Sequence, residues 1–276
     1  MKTILHTLVA MIALAVTSCN NDDNEAFDIL RPISENVIGR WQQTNSYQLD
    51  ANGNKIEDGA HIEGMIIQAD FRPDGTAIEL MTTLNGWQRV NKINWTADEK
   101  KRGIHFAIED GDPHFCSLQL LTDNQMIQGM DSAYNSQNGE MVKGNFRFEY
   151  QRVPDEPILS EQMIGKWATY KTYQKVDGEW QEVPNCCPEE GWFHFLYNGV
   201  VDHYVKFGDW KEQVEMQWLI NVKTNRMNLT MDDRSVKSGF AFLGTDTLEL
   251  YNDASLDFST GQMVLGEFKD VLLREK

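Results

Sequence analysis

The chain has 276 residues, of which 41% are hydrophobic, 11% aromatic and 24% charged, a globular composition that excludes collagenous, coiled-coil and disordered chains. Lys and Arg total 25 against 42 Asp and Glu, a net charge of −17. That sign, with no basic stripe to offset it, repels phosphate backbones and argues against nucleic acid as a partner. No apolar run reaches the roughly 18 residues that cross a bilayer, so any membrane contact is expected through the N-terminus only.

The first 19 residues read as an export signal. Lys2 supplies the positive start and Ile4 to Val16 is a mostly apolar run of signal-core length. Val16-Thr17-Ser18-Cys19 then resembles the bacterial lipoprotein processing box, which implies that Cys19 is lipidated and becomes the mature N-terminus. An ordinary secretory peptide that happens to contain a Cys is the plainer alternative. Several acyl chains on one Cys anchor stably where a single chain does not. Residues 20–33 read as a flexible acidic tether, opening with Asn20-Asn21-Asp22-Asp23-Asn24-Glu25. That tract is similar to the acidic export signal of surface lipoproteins in the Bacteroides group, and it also reads as a simple solvated spacer. The address implied is the outer membrane, lipid-anchored, on the periplasmic face or at the cell surface. Loss of residues 1–18 removes Lys2 and no acid, which takes the net charge from −17 to −18. A body so acidic would not adhere to anionic lipid except through its anchor.

The rest of the chain is a tandem repeat. Ser34-Glu35-Asn36-Val37-Ile38-Gly39-Arg40-Trp41 returns as Ser160-Glu161-Gln162-Met163-Ile164-Gly165-Lys166-Trp167, an offset of 126. Phe71-Arg72-Pro73-Asp74-Gly75 returns as Phe195-Leu196-Tyr197-Asn198-Gly199 at 124, and Trp87 and Trp95 return as Trp210 and Trp218 at 123. Gly139 to Phe146 returns as Gly261 to Phe268 at 122. An offset that shrinks by small steps is the mark of one ancestral unit copied and then trimmed in its loops. The units are 34–153 and 160–276, joined by the Pro-stiffened linker 154–159.

Each unit reads as all-β. Phe146, Phe148, Tyr150 and Arg152 share one face with Val142, while Lys143, Asn145, Arg147, Glu149 and Gln151 share the other, the period-two pattern of a strand with one buried face. Ile104, Phe106 and Ile108 repeat the pattern, as do Met65, Ile67, Ala69 and Phe71 before the Pro73-Asp74-Gly75 turn. About eight such segments fall in the first unit, near 38–49, 62–71, 76–83, 87–96, 103–109, 115–121, 125–131 and 140–152. Strands joined in order by short turns predict an up-and-down meander, and eight can close into a barrel that is either filled or holds one small ligand.

Gly39-Arg40-Trp41 on the first strand and Arg152 on the last resemble the Gly-x-Trp and closing Arg of the lipocalin superfamily, and Leu121-Thr122-Asp123 is similar to its Thr-Asp turn. The second unit offers Gly165-Lys166-Trp167, Gly244-Thr245-Asp246 and Arg274 in the same order. The nearest likeness is to the short lipocalin-like domains of Bacteroides lipoproteins, and it implies two tandem eight-stranded barrels. First and last strands meet when a barrel closes, so Arg152 would lie across Trp41, and Arg274 across Trp167, as cation–π lids. These four are structural residues. The larger lipocalins carry a C-terminal helix for which this chain has no room, and a packed interior is an open alternative to a roomy one.

Trp87 and Trp95 stand eight apart, on one face of an unbroken strand, as do Trp210 and Trp218. All four are candidate aromatic walls for an apolar or ring-bearing ligand, with Trp87 and Trp210 toward the mouth and Trp95 and Trp218 toward the floor; core packing is the competing reading. Trp180 and Trp192 make the second mouth the more aromatic. There is no Gly-x-Ser-x-Gly elbow, phosphate loop or His-Glu-x-x-His, so no enzyme chemistry and no cofactor is implied. His194, His203, Cys186 and Cys187 fit no tight zinc spacing. Asp50-Ala51-Asn52-Gly53-Asn54 opens like a calcium loop, but Lys55 and His61 stand where Gly and the bidentate Glu belong, and a hairpin turn explains it better. With Cys19 lipidated, Cys116, Cys186 and Cys187 remain, an odd number whose pairing the spacing leaves open. The expectation is a non-enzymatic envelope lipoprotein that holds a small apolar or amphiphilic ligand in its barrels. The rival is a filled-barrel module that binds a protein or glycan, with a hydrolase third.

Overall fold

The computed structural model describes residues 31–56, 64–108, 113–135, 140–232 and 234–276. The export signal, Cys19, most of the tether and His61 lie outside the described residues. The chain divides into two compact units, the first running to Glu156 except for Thr82–Val90, which group with Pro157–Lys276 in the second.

The first unit opens with one helical turn, α1 (Ile33–Asn36), and then strands β1 (Gly39–Leu49), the short β2 (Lys55–Ile56), β3 (Met65–Phe71), β4 (Thr76–Thr83), β5 (Trp87–Asp98), β6 (Gly103–Ile108), β7 (His114–Leu121), β8 (Gln125–Asn135) and β9 (Glu140–Val153). Strands β3 to β9 pair antiparallel in sequence order, and β1 pairs with β3 on one side and β9 on the other, so the sheet closes on itself as a barrel. The closure pairs the outer edges of β3 and β9 through β1 without a covering helix. The all-β meander expected from the period-two segments is present, with strand limits close to those read from the pattern. The two-residue β2 adds to them.

Interior and exterior alternate as the pleat requires. Trp41, Phe71, Ile104, Leu121 and Met126 are buried in one apolar cluster with Ile33 and Val37 of the α1 turn. The alternation breaks at bulges, two of which lie between Gln43 and Asn45 on β1 and between Met130 and Ser132 on β8. The second bulge meets a matching irregularity on β9, where Phe146 pairs with Met130 but Lys143 with Ser132. Val142 is therefore 37% exposed instead of sharing the buried face of Phe146, which corrects the unbroken alternation expected there.

The second unit follows the same order: α2 (Leu159–Met163), β10 (Gly165–Val176), the short β11 (Glu179–Glu182), a 3₁₀ turn over Pro184–Cys186, then β12 (Glu190–Phe195), β13 (Val200–Phe207), β14 (Trp210–Asn221), β15 (Arg226–Met231), β16 (Arg234–Phe242), β17 (Thr247–Asp257) and β18 (Gln262–Arg274). Strands β12 to β18 pair antiparallel in sequence order, and β10 pairs with both β12 and β18. The bulges recur too, between Thr169 and Lys171 and between Asn252 and Ala254.

Candidate ligand-binding cavity

At one end of the first unit, Arg152 lies over the Trp41 ring with its guanidinium carbon 4.2 Å from the centroid. The same guanidinium donates to the backbone carbonyls of Asn36 at 2.6 Å, Asp123 at 2.6 Å and Ile38. Trp41 is fully buried and gives its Nε1–H to the Val37 carbonyl at 2.7 Å. Gly39 has φ +113°, and a Cβ there would meet the Arg152 Nη1 atom. The Gly, the Trp, the Arg and the Thr-Asp turn are therefore one constellation: the glycine admits the arginine, and the arginine ties the α1–β1 junction to the β7–β8 turn across the indole. The second unit builds the same group, with Arg274 4.1 Å over Trp167, donating to Ile164 and Thr245 at 2.7 and 3.1 Å.

The inner tryptophans are core. Trp95 is 6% exposed, packs edge-on to Phe71 at 5.5 Å and donates to the Thr76 carbonyl at 2.9 Å. Trp218 is 2% exposed, packs edge-on to Phe195 at 5.4 Å and donates to the Leu196 carbonyl at 3.1 Å. Trp87 is half-buried, its backbone N–H held by Thr83 Oγ1 at 3.0 Å. Trp210 is 44% exposed against Phe258, which also stacks on Phe207. None of these four tryptophans lines the cavity found in the first unit.

That cavity has a volume of about 90 Å³, room for a ring or a short alkyl arm. Its walls are apolar on β3 and β5 to β6, where Ile67, Ala69, Phe71, Ile93 and Phe106 contribute, and aromatic on β9, where Phe148 and Tyr150 do. Polar groups enter at a few places: Gln43 of β1, Gln68 between the apolar residues of β3, Glu79 of β4, Cys116 of β7, and Gln128 and Ser132 of β8. No lysine, arginine or histidine is among the described residues that line it. Asn91 Nδ2 donates to Glu79 Oε2 at 3.0 Å and fixes how the carboxylate is turned. Burial, then the nearby Cys116 and Glu79, push the Tyr150 phenol well above its usual range. Burial, with a further contribution from Asp131, pushes the Cys116 thiol up to about 12, so at neutral pH it is an inert, protonated wall group. Ser46 is 6% exposed and its Oγ has no partner. Its cross-strand partner is the cavity-lining Phe148, and paired residues share a face, so this hydroxyl belongs to the interior.

The interior of the second unit is furnished differently. Asp270 accepts from Thr172 Oγ1 at 2.7 Å and Asn252 Nδ2 at 3.0 Å, and Asn252 accepts from Ser238 Oγ at 2.5 Å. Burial raises the Asp270 carboxyl above its ordinary range, although both hydrogen bonds oppose the rise. His203 stacks on Phe193 at 4.2 Å, and burial takes its imidazole down to about 4. Cys116, Cys186 and Cys187 are free thiols. Among the described residues, no group of three or more His, Cys, Asp or Glu is placed to hold a metal ion, and no helix is long and apolar enough to cross a membrane. Asp50 Oδ1 accepts the backbone N–H groups of Asn52 and Asn54, each at 2.8 Å, which makes that segment a hairpin turn.

Of the cavity walls, those on β3 and β9 were visible in the sequence as apolar period-two faces. Glu79, Gln43 and Gln128 were not, because a polar residue in a strand ordinarily marks the solvent face.

The sequence matches no family model and no curated protein. Among solved structures the chain is similar to a protein of unknown function of the DUF3598 family from Nostoc punctiforme, with a TM-score of 0.25 and 8% identity over 87% of this chain and 97% of that one.

Proposed function

We propose that the protein is a non-enzymatic envelope lipoprotein, anchored at the outer membrane through lipidated Cys19, that holds a small apolar or amphiphilic molecule in the first of two tandem lipocalin-like barrels. The observation that carries this reading is the first-unit cavity, with Phe71, Phe106, Phe148 and Tyr150 in its walls and a few polar groups among them. The tandem-barrel part is supported by the sequence repeat and by β10 pairing with both β12 and β18 in the second unit. A cavity of about 90 Å³ takes one end of an amphiphile and leaves the remainder at the mouth.

Native mass spectrometry of residues 20–276, prepared from the periplasm without detergent, tests the reading. An added mass of a few hundred daltons that leaves on denaturation is expected, and Ala69→Leu, which fills the cavity from β3, should abolish it. A clean apo mass in repeated preparations, with no binding of a neutral hydrophobic dye, would move the function to the outside of the protein. The second reading, an interaction module for a protein or glycan, then takes over. Its support is the exposed Trp210 with Phe207 and Phe258, and a second-unit interior occupied by Phe193, His203 and the Asp270 network. Protease treatment of intact against lysed cells distinguishes surface from periplasm, and Cys19→Ser should release the protein from the membrane fraction.

A further inference from the structure

Glu79 places a carboxylate in a cavity whose other walls are mainly rings and aliphatic groups. The fold does not require it there. Strands β4 and β13 correspond residue for residue at an offset of 124, and the counterpart of Glu79 is His203, stacked on an aromatic ring. The surroundings of Glu79 suit positive charge. The faces of Phe71, Phe106, Phe148 and Tyr150 carry negative quadrupole density that attracts a cation. The amide oxygens of Gln43 and Gln128 can accept N–H donors. A ligand carboxylate would meet the opposite conditions: a second negative charge beside Glu79 and no Lys, Arg or His in the lining to offset it.

We infer that the cavity selects an organic cation, an amine carried on an alkyl or aryl body, with Glu79 as the residue that sets this preference. The inference rests on the cavity being a ligand site and names the class of ligand it takes. The apolar body fills the space between β3, β6 and β9, and the ammonium group sits against Glu79, held in position by Asn91. A charge-assisted hydrogen bond in a site walled mainly by apolar side chains favours the amine over a neutral isostere by roughly 10- to 100-fold.

The test uses the mature chain, residues 20–276, and three probes of one chain length, octylamine, octanol and octanoate, each titrated against a bound neutral naphthyl dye at fixed ionic strength. Octylamine should displace the dye at least ten times more tightly than octanol, with octanoate weakest. In Glu79→Gln, with both probes titrated against that variant's own dye affinity, octylamine should come to within about threefold of octanol. Glu189→Gln, which removes one charge from an exposed site, should leave the amine preference intact and so exclude general attraction by an acidic surface. Equal binding of amine and alcohol to the unsubstituted protein would overturn the inference and leave the cavity reading standing. So would an amine preference that survives Glu79→Gln. If neither the dye nor any probe binds, the cavity reading fails and the inference falls with it.

Discussion

Arg152 covers the Trp41 indole at 4.2 Å while its three nitrogens reach three backbone carbonyls, two at the α1–β1 junction and one in the β7–β8 turn. Only a planar, forked cation performs both tasks, since a lysine ammonium has neither the flat face nor the spread of donors. Arg152→Lys should therefore lower the stability of the first unit by about 1–3 kcal/mol, read as a fall in urea midpoint with unchanged slope. Gly39→Ala should cost a similar amount, roughly 1–3 kcal/mol, because it adds a Cβ against the guanidinium at a positive φ.

Trp95 and Trp218 are expected to act on stability and not on ligand affinity. Trp95→Phe removes the Nε1–H bond to the Thr76 carbonyl, which keeps the Arg72 N–H, and trims a buried ring, at a cost of about 1–2 kcal/mol. Dye affinity should not change, because Trp95 lies outside the cavity lining. A drop in affinity of more than threefold at full folding would return Trp95 to the ligand site.

His203 gives the second unit an acid-sensitive stability. Its folded-state pKa is about 4, against 6.5 for an ordinary imidazole. As pH falls below 6.5, the unfolded chain takes up this proton first, so stability declines across the window from 6.5 to 4 and rises again on return. The full effect is up to about 3 kcal/mol. Asp270 works in the opposite sense: its raised pKa means the folded form takes up a proton before the unfolded one as pH falls. The difference between the native protein and His203→Gln, followed by urea denaturation from pH 7 to pH 4, isolates the histidine and should shrink as the pH drops.

Cys116 should resist thiol reagents at pH 8 until the first unit unfolds, since burial holds its thiol at about 12 and its side chain is 1% exposed. Cys187 is only half-buried and should label in the native state. Mass mapping after brief labelling, with and without urea, separates the two.

The parts of the fold that were legible in the sequence are those in which one face of a strand is uniformly apolar. Ile67, Ala69 and Phe71 announce their strand and its inward face, and Ile104 and Phe106 do the same. The Gly-x-Trp and late Arg were readable because the repeat presents each twice, although that the Gly makes room for the Arg becomes visible only in three dimensions. The candidate site was hidden for the opposite reason. Glu79, Gln43 and Gln128 interrupt apolar patterning, and of the four tryptophans that stood out for their size, Trp95 and Trp218 are tied by Nε1–H bonds to backbone carbonyls and none lines the cavity. The one-turn helices α1 and α2 are too short to carry a helical period.

The bulge at Gln43 and Asn45 is a phase shift written with a single residue. Upstream of it the odd-numbered Trp41 and Gln43 face inward; downstream the even-numbered Ser46 and Gln48 oppose the inward Phe148 and Phe146. Run as an unbroken strand, the same residues would exchange compartments, with Ser46 and Gln48 sent to solvent and Asn45 and Tyr47 turned inward. The polarity of the upper interior is thus fixed by the spacing along β1 as much as by which residues the strand contains. The same interruption at Thr169 and Lys171 means that this spacing was duplicated along with the fold.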